Sequence, residues 1–474
     1  MIDIVKNINE MASRNALAPA ICSSTGFMPY AELSEHITIV SNYFADRRVP
    51  RLSVVFPNFT NPDLRQIVIL AAMNCGLVPF IASSIHELSE RPTFDLVIGG
   101  PDPIDPSLAP DLVIDDTVLN GNLADKTPRI FPAREDEELC FIGSTTGTTG
   151  NRKMVGNTIG MVNRRGKIAR EHHFEEAERV MVTLGSATAY SFITACRVLQ
   201  SKACFVRSHP QPFPCLKMIN AFCVDKLLTT PAAIDLFMDC MESHSIKCPS
   251  VRNIILTGSL FRKQLIARIE SFFDARIHVV YGTSETGGIA TGQVTSAGYI
   301  NGYVGEINPG IQLVYDGSKG EEPAELLFLN EARLLSGYFS NGNLIPNEEP
   351  FYRLPDLGFV RGNQLFITGR DDEVYNFSGN KIAFNQIENH LLKKPGIKDV
   401  GIVSTASEVD PLGLIIVLVT TSPVDLAFLR DEICKTMKIE LAKKHLQFVL
   451  LDKVPRNEMG KLDRKALRAS ANQL

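Results

Sequence analysis

"FIGSTTGTTGNRK", Phe141 to Lys153, sets five hydroxyl side chains and three glycines between a short apolar run and an Arg152-Lys153 pair. Ser144, Thr145, Thr146, Thr148 and Thr149 offer O–H donors, and Gly143, Gly147 and Gly150 allow backbone amides to turn inward. A phosphate group needs several such donors converging on it, with a cation nearby. The P-loop pattern is not met, because its spacing fails and no Ser or Thr follows Lys153. Residue types alone leave anion cradle and ordinary polar loop equally open.

The surrounding texture narrows the fold. "RLSVVFP", "LVPFIA", "FDLVIGG", "VRNIILTGS" and "ARIHVVYGTSE" are short apolar runs closed by turn residues. They alternate with helical patterns such as "PYAELSEHITIVSNYFADR", "VDKLLTTPAAIDLFMDCM" and "RKQLIARIESFF". That rhythm predicts an α/β fold of parallel sheet covered by helices. From about residue 300 to 369 the chain becomes rich in Gly and Pro with short alternating strands, which reads as a β-rich part of the same large domain. A small α+β domain is expected over 370–474, giving a large N-terminal unit over 1–369.

Composition sets limits. Of 474 residues, 45% are hydrophobic and 21% charged, as in a globular protein. The net charge of -5, from 48 basic and 53 acidic residues, gives no electrostatic case for nucleic acid. Ten cysteines without a C-x-x-C pair read as free thiols of a reducing compartment, so a cytoplasmic location is expected. The polar start "MIDIVKNINEMASRN" lacks a signal-peptide core. In "IVILAAMNCGLVPFIASSI", Asn74, Gly76 and Pro79 interrupt the apolar run, which predicts a buried helix and strand and no membrane insertion. His172, His173 and Glu176 show no third and fourth ligand for a metal and read as an exposed helix face.

Taken with the rest of the chain, "TTGTTGNRK" resembles the phosphate loop of the adenylate-forming superfamily: acyl- and aryl-CoA ligases, peptide-synthetase adenylation domains and luciferases. The order of motifs carries the resemblance over nearly the whole chain. "YGTSE" (Tyr281, Gly282, Thr283, Ser284, Glu285) resembles Y-G-x-T-E, "LPD" ending at Asp356 stands for T-G-D, and "GRDDEVYNFSGNKIAFNQIE" is similar to the hinge and following loop. "PRNEMGKLDR" matches P-x-x-x-x-G-K-x-x-R at Pro455, Gly460, Lys461 and Arg464. "SVRNIILTGSLF" and "ELLFLNEARLLSGYF" add weaker likenesses.

The resemblance implies that a carboxylate attacks the α-phosphorus of ATP, releasing pyrophosphate. Thr145, Thr146, Gly147, Thr148, Thr149, Gly150 and Lys153 would hold the phosphates, and Glu285 the Mg²⁺. Asp356 would accept the ribose hydroxyls, Arg370 would lie near ribose and phosphate, and Tyr281 with Gly258 and Ser259 would border adenine. Lys461 would bridge carboxylate and α-phosphate. Asp372 would be the hinge about which the small domain turns, and the loop around Gly379 would line a channel for the thiol of CoA or a carrier-protein phosphopantetheine. Four departures stand out: Arg152 for Pro, Ser284 for Thr, Leu354-Pro355 for Thr-Gly, and no basic residue before Gly379. "TLGSATAYSF" (Thr183 to Phe192) holds neither an Asp for an α-amino group nor the His of many CoA ligases, which favours a non-amino acid, fatty or aromatic. An adenylating enzyme serving only a carrier protein is one rival. A degenerate nucleotide or acyl-AMP sensor is the other, and the presence of Lys461, Glu285 and Asp356 argues against it.

Overall fold

Short runs of β-branched and aromatic residues form strands buried on both faces, and the helices between them cover those faces. A computed structural model describes residues 3–82, 85, 88, 92–120, 125–144, 153–169, 173–184, 188–315, 324–329, 334–370, 373–377, 380–404, 413–437, 440–456 and 462–471. Among these, two large sheets dominate. In the first, Pro19–Ser23, Cys204–Arg207, Arg179–Val182, Lys226–Thr229, Asn253–Leu256 and Arg276–Thr283 run parallel. In the second, Leu139–Ser144, Val78–Ile81, Val54–Asn58, Leu96–Gly99 and Leu112–Val113 run parallel.

Local chemistry starts and stops the covering helices. Pro62–Asn74 begins at Asn61, whose side chain accepts from Asp63 N (2.9 Å) and Leu64 N (3.2 Å), with Pro62 in the first turn. Residues Arg65 to Met73 are buried without interruption, and the chain then turns into the buried strand Val78–Ile81. The membrane-like window is therefore a core helix and strand. No helix among the described residues is long and apolar enough to cross a membrane. All ten cysteines are free, and only Cys223 is exposed.

The sheets are mixed rather than parallel throughout. Gly287–Val294 turns back antiparallel on Arg276–Thr283, and Tyr303–Ile307, Gln364–Arg370, Phe351–Arg361, Ala324–Leu329 and Leu313–Tyr315 extend the same sheet. Gly337–Ser340 pairs instead with Met154–Thr158 of the second sheet. The β-rich stretch thus has its own apolar cluster, around Leu326, Phe328, Leu354 and Leu365, but builds no separate sheet. Hairpin connections permit this, since antiparallel strands can add to an existing edge without a crossover helix.

One irregularity there matters for the site. Along Phe351–Arg361, pairing with Ala324–Leu329 jumps from Leu327↔Arg353 to Glu325↔Leu357. Leu354, Pro355 and Asp356 therefore bulge from the ladder, a device that re-aims side chains. Proline is tolerated where no ladder donor is needed. Leu354, 2% exposed, points into the apolar cluster, while Pro355 and Asp356 line the cavity described below. A packing residue replaces the hydroxyl expected at 354.

The remaining chain forms a three-stranded sheet of Ile397–Ser404, Leu414–Thr420 and Leu446–Leu450 with helices Phe384–Leu391, Leu426–Thr436 and Arg464–Ala471. Its apolar clusters share no member with those before residue 368. Replacing Leu354 by Ala should destabilise the protein by about 2–5 kcal/mol through the cavity it leaves, measured by chemical denaturation.

Candidate active site

The carboxyl ends of the parallel strands open onto one cavity of about 920 Å³, where ligands of α/β sheets are commonly held. Asn253–Leu256 delivers Gly258 and Ser259 to it, and Arg276–Thr283 delivers Tyr281 to Glu285. Gly143, Ser144 and Lys153 enter from the pair Leu139–Ser144 and Met154–Thr158, joined in register at Ser144↔Met154. Asp356 and Arg370 enter from neighbouring strands, where they are direct partners. Gly258, Ser259, Tyr281, Gly282, Thr283, Ser284, Glu285, Lys153, Asp356 and Arg370 therefore line a single space. Thr145, Thr146, Gly147, Thr148, Thr149, Gly150, Asp372, Gly379 and Lys461 lie outside the described residues, as do Arg152 and His172.

Tyr281 donates its hydroxyl to Asp356 Oδ2 at 2.6 Å. Burial, and then the Asp356 charge, push the phenol well above its usual range, so it stays a donor at neutral pH. Gly282 is confined: a Cβ there would collide with the Gly287 carbonyl, so the turn admits no side chain. Thr283 and Thr286 hydroxyls lie 3.0 Å apart and close that turn.

Glu285 meets two tyrosines that sequence reading did not single out. Tyr338 Oη lies 3.5 Å from Glu285 Oε1. The Tyr352 hydroxyl contacts both Glu285 and Tyr338. Burial and Glu285 raise both phenols, keeping them protonated and donating. Lys153 Nζ sits 4.9 Å from the Tyr338 ring centre, a cation–π contact that links the end of the phosphate-loop stretch to the acid. Among the described residues no group of three or more His, Cys, Asp or Glu could hold a metal by itself. A single carboxylate beside hydroxyls fits Mg²⁺, which takes most of its ligands from phosphates and water.

Arg165, on the helix Ile159–Ile168, was also not foreseen. Its Nε donates to Leu334 O (2.9 Å) and its Nη1 to Asn157 Oδ1 (3.1 Å). Its Nη2 donates to Leu334 O (2.6 Å), Ser336 Oγ (3.0 Å) and Glu285 O. Ser336 N donates to the same Glu285 carbonyl at 2.9 Å. One guanidinium thus ties the Glu285 turn to the 334–336 segment and to the strand Met154–Thr158. Burial pulls its pKa down to about 9, opposed by Glu285, and it stays charged at neutral pH. Only a five-donor planar cation can serve so many acceptors.

On the helix Arg464–Ala471, Arg464 donates to Glu373 Oε2 (2.6 Å) and to Glu388 Oε1 (3.2 Å). Arg262 Nε, just before the helix Lys263–Phe272, donates to Asn389 Oδ1 on the helix Phe384–Leu391 at 2.9 Å.

Sequence comparison matches residues 51–338 to the family described as AMP-binding enzyme. Over 93% of its length the chain is 22% identical to 4-chlorobenzoate–CoA ligase of Arthrobacter sp, covering 90% of that protein. It is 24% identical to the vibriobactin-specific 2,3-dihydroxybenzoate-AMP ligase of Vibrio cholerae, over 70% of this chain and 64% of that one. Its fold is similar to Klebsiella oxytoca NpsA in complex with 3-hydroxyanthranilyl-AMSN, with TM-score 0.79, 18% identity and 99% of each chain covered. It is similar also to the Bacillus subtilis O-succinylbenzoate coenzyme A synthetase solved with ATP and a magnesium ion, with TM-score 0.74, 19% identity and 98% and 99% covered. The chain belongs to the AMP-binding enzyme family, within the adenylate-forming superfamily of CoA ligases and peptide-synthetase adenylation domains.

Arg165→Lys keeps the charge but cannot span the four acceptors. It should lower the rate of adenylate formation about 10²–10³-fold and raise the Mg²⁺ concentration needed for half-maximal rate. Initial-rate assays across a Mg²⁺ series measure both. Tyr352→Phe, which removes one donor to Glu285, should lower the rate about 10-fold while the protein stays folded by circular dichroism.

Proposed function

We propose that this protein activates a non-amino carboxylic acid with ATP and Mg²⁺ to an acyl-AMP, releasing pyrophosphate, and passes the acyl group to the thiol of CoA or of a carrier-protein phosphopantetheine. The observation that carries this reading is the convergence of Lys153, Glu285, Tyr281, Asp356 and Arg370 on one cavity at the strand ends. Attack of a carboxylate on a phosphate brings two anions together, and these cations and donors offset the charge that builds up. Asp356, with one oxygen engaged by Tyr281, would accept from the ribose hydroxyls. Bound Mg²⁺, held at Glu285, would supply charge neutralisation at the phosphates.

The acid end supports a non-amino substrate. Its lining from the helix Ala189–Gln200 consists of Ala189, Tyr190, Ile193 and Arg197, with no carboxylate to receive an ammonium group. Residues 370–474 would act as a lid turning about Asp372, carrying Lys461 to the reacting carboxylate. Both the 4-chlorobenzoate and the dihydroxybenzoate relatives are named for aryl acids, which favours an aromatic or fatty acid here.

The test is carboxylate-dependent ATP–pyrophosphate exchange over a panel of fatty and aryl acids. Exchange with at least one acid is expected. Silence with every acid would contradict the ligase reading and favour a nucleotide-binding sensor. Lys461→Ala should lower exchange by about 10²–10⁴-fold without loss of fold, and near-normal exchange in that variant would remove Lys461 from the role given to it. Thiol-dependent AMP release with CoA, against a phosphopantetheinylated carrier protein, separates the two acceptors.

A further inference from the structure

The acid end of the cavity is largely apolar, with the Tyr190 hydroxyl and one cation as its polar groups. Val162, Gly166, Ala169, Leu184 and Ile193 line it together with Arg197. Arg197 lies on the helix Ala189–Gln200, whose first residue sits beside Gly143 of the strand Leu139–Ser144: a Cβ built on Gly143 would lie 2.8 Å from Ala189 Cβ. Eight residues further along, Arg197 is about 12 Å down the helix axis, at 1.5 Å per residue. The cavity therefore runs from the phosphate-binding end to a guanidinium.

That guanidinium has room made for it and, among the described residues, no counter-ion. A Cβ on Gly166 would overlap it, so glycine is needed on the facing helix. Nη2 donates to Val162 O at 2.6 Å and Nη1 to Gln200 Oε1 at 2.9 Å. Nε is buried with no hydrogen-bond partner. Both partners are neutral, and no ion pair to Arg197 occurs among the described residues. A guanidinium has five N–H donors; with Nε closed off, one N–H on each Nη remains for a ligand. Burial lowers the pKa of Arg197, and no carboxylate counters the effect. Elsewhere in the protein Arg464 and Arg207 face acids, whereas Arg65 and Arg165 are held by backbone carbonyls and neutral side chains. A half-buried cation without an anion is costly, and a bound anion would relieve that cost.

We propose that the substrate is a carboxylic acid with a second anionic group at its far end, a dicarboxylate or an aryl acid bearing a second acid, and that Arg197 is the residue that selects it. This rests on the ligase reading and names the substrate class of the same site. One carboxylate would meet ATP at the phosphate loop. The other would take the remaining donors of Arg197, with the apolar wall between them covering a short alkyl or aryl spacer. An acid with a neutral tail would leave Arg197 buried and unpaired, and discrimination of this kind is large.

The experiment compares kcat/KM for adenylation of octanoate, octanedioate, octanedioate monoamide, benzoate and terephthalate by the full chain. Wild type should prefer the diacids over matched monoacids by about 50-fold or more, with the monoamide falling to the monoacid level. Arg197→Met should raise KM for the diacids about 100-fold and leave monoacids within about 3-fold, and Arg197→Lys should restore part of the preference. Wild-type preference for monoacids, or equal loss on all acids in Arg197→Met, would overturn the proposal and leave Arg197 as a clamp between two helices. The wild-type comparison stands even if a variant fails to fold. Activity on monoacids alone would sink only this proposal, whereas silence on every acid would sink the ligase reading with it.

Discussion

A single buried guanidinium holds the reaction centre in register. Arg165 donates to the Glu285 and Leu334 carbonyls, to Ser336 and to Asn157. These acceptors belong to three chain segments that also meet through the strand pairing of Gly337 with Gly156 and the Ser336 N–H on the Glu285 carbonyl. The Glu285 turn, the strand pair Leu139–Ser144 and Met154–Thr158, and the segment leading to Tyr338 are tied together further by that contact. Charge-assisted hydrogen bonds in a site of low dielectric are strong, and losing one partner strands the others. The orientation of the Glu285 carboxylate, and of the two tyrosines that address it, follows from this tie.

The sheet topology supplies the second constraint. Parallel strands end together, so Gly258, Tyr281 and Glu285 reach the same space although they come from two strands and the turns after them. Antiparallel strands then extend the sheet and bring Asp356 and Arg370 across from one another. The bulge at Leu354-Pro355-Asp356 turns the acid toward Tyr281 while Leu354 stays in the apolar cluster. An unusual pair of residues before the acid is thus accommodated by packing on one side and a ladder break on the other.

The sequence made much of the site legible because its motifs are strings at strand ends. Tyr281 to Glu285 needs only one strand and one turn to be placed correctly, and Lys153 only the end of a hairpin. Helix-covered parallel strands were equally legible in the short apolar runs. The antiparallel extension was harder to read. Residues 300–369 have strand periodicity, but periodicity does not say which sheet edge a strand will join. Arg165 and Arg197 escaped notice for a different reason. "NRRGK" and "ACRVLQ" look like ordinary helix positions, and nothing local distinguishes a solvated arginine from one that gathers distant carbonyls or faces a cavity. Gly166, small where two helices meet a guanidinium, is the faint signal that was there to use.

The central claim is that the substrate carboxylate becomes bonded to the α-phosphorus of ATP. Oxygen labelling addresses it directly. With a carboxylic acid carrying ¹⁸O in its carboxyl group, ATP, Mg²⁺ and an acceptor thiol, mass spectrometry of the products follows the label. The account predicts one ¹⁸O in AMP and none in pyrophosphate, because the bridging oxygen leaves with AMP when the thiol attacks. Label in inorganic phosphate or pyrophosphate, or unlabelled AMP beside thioester product, would contradict it.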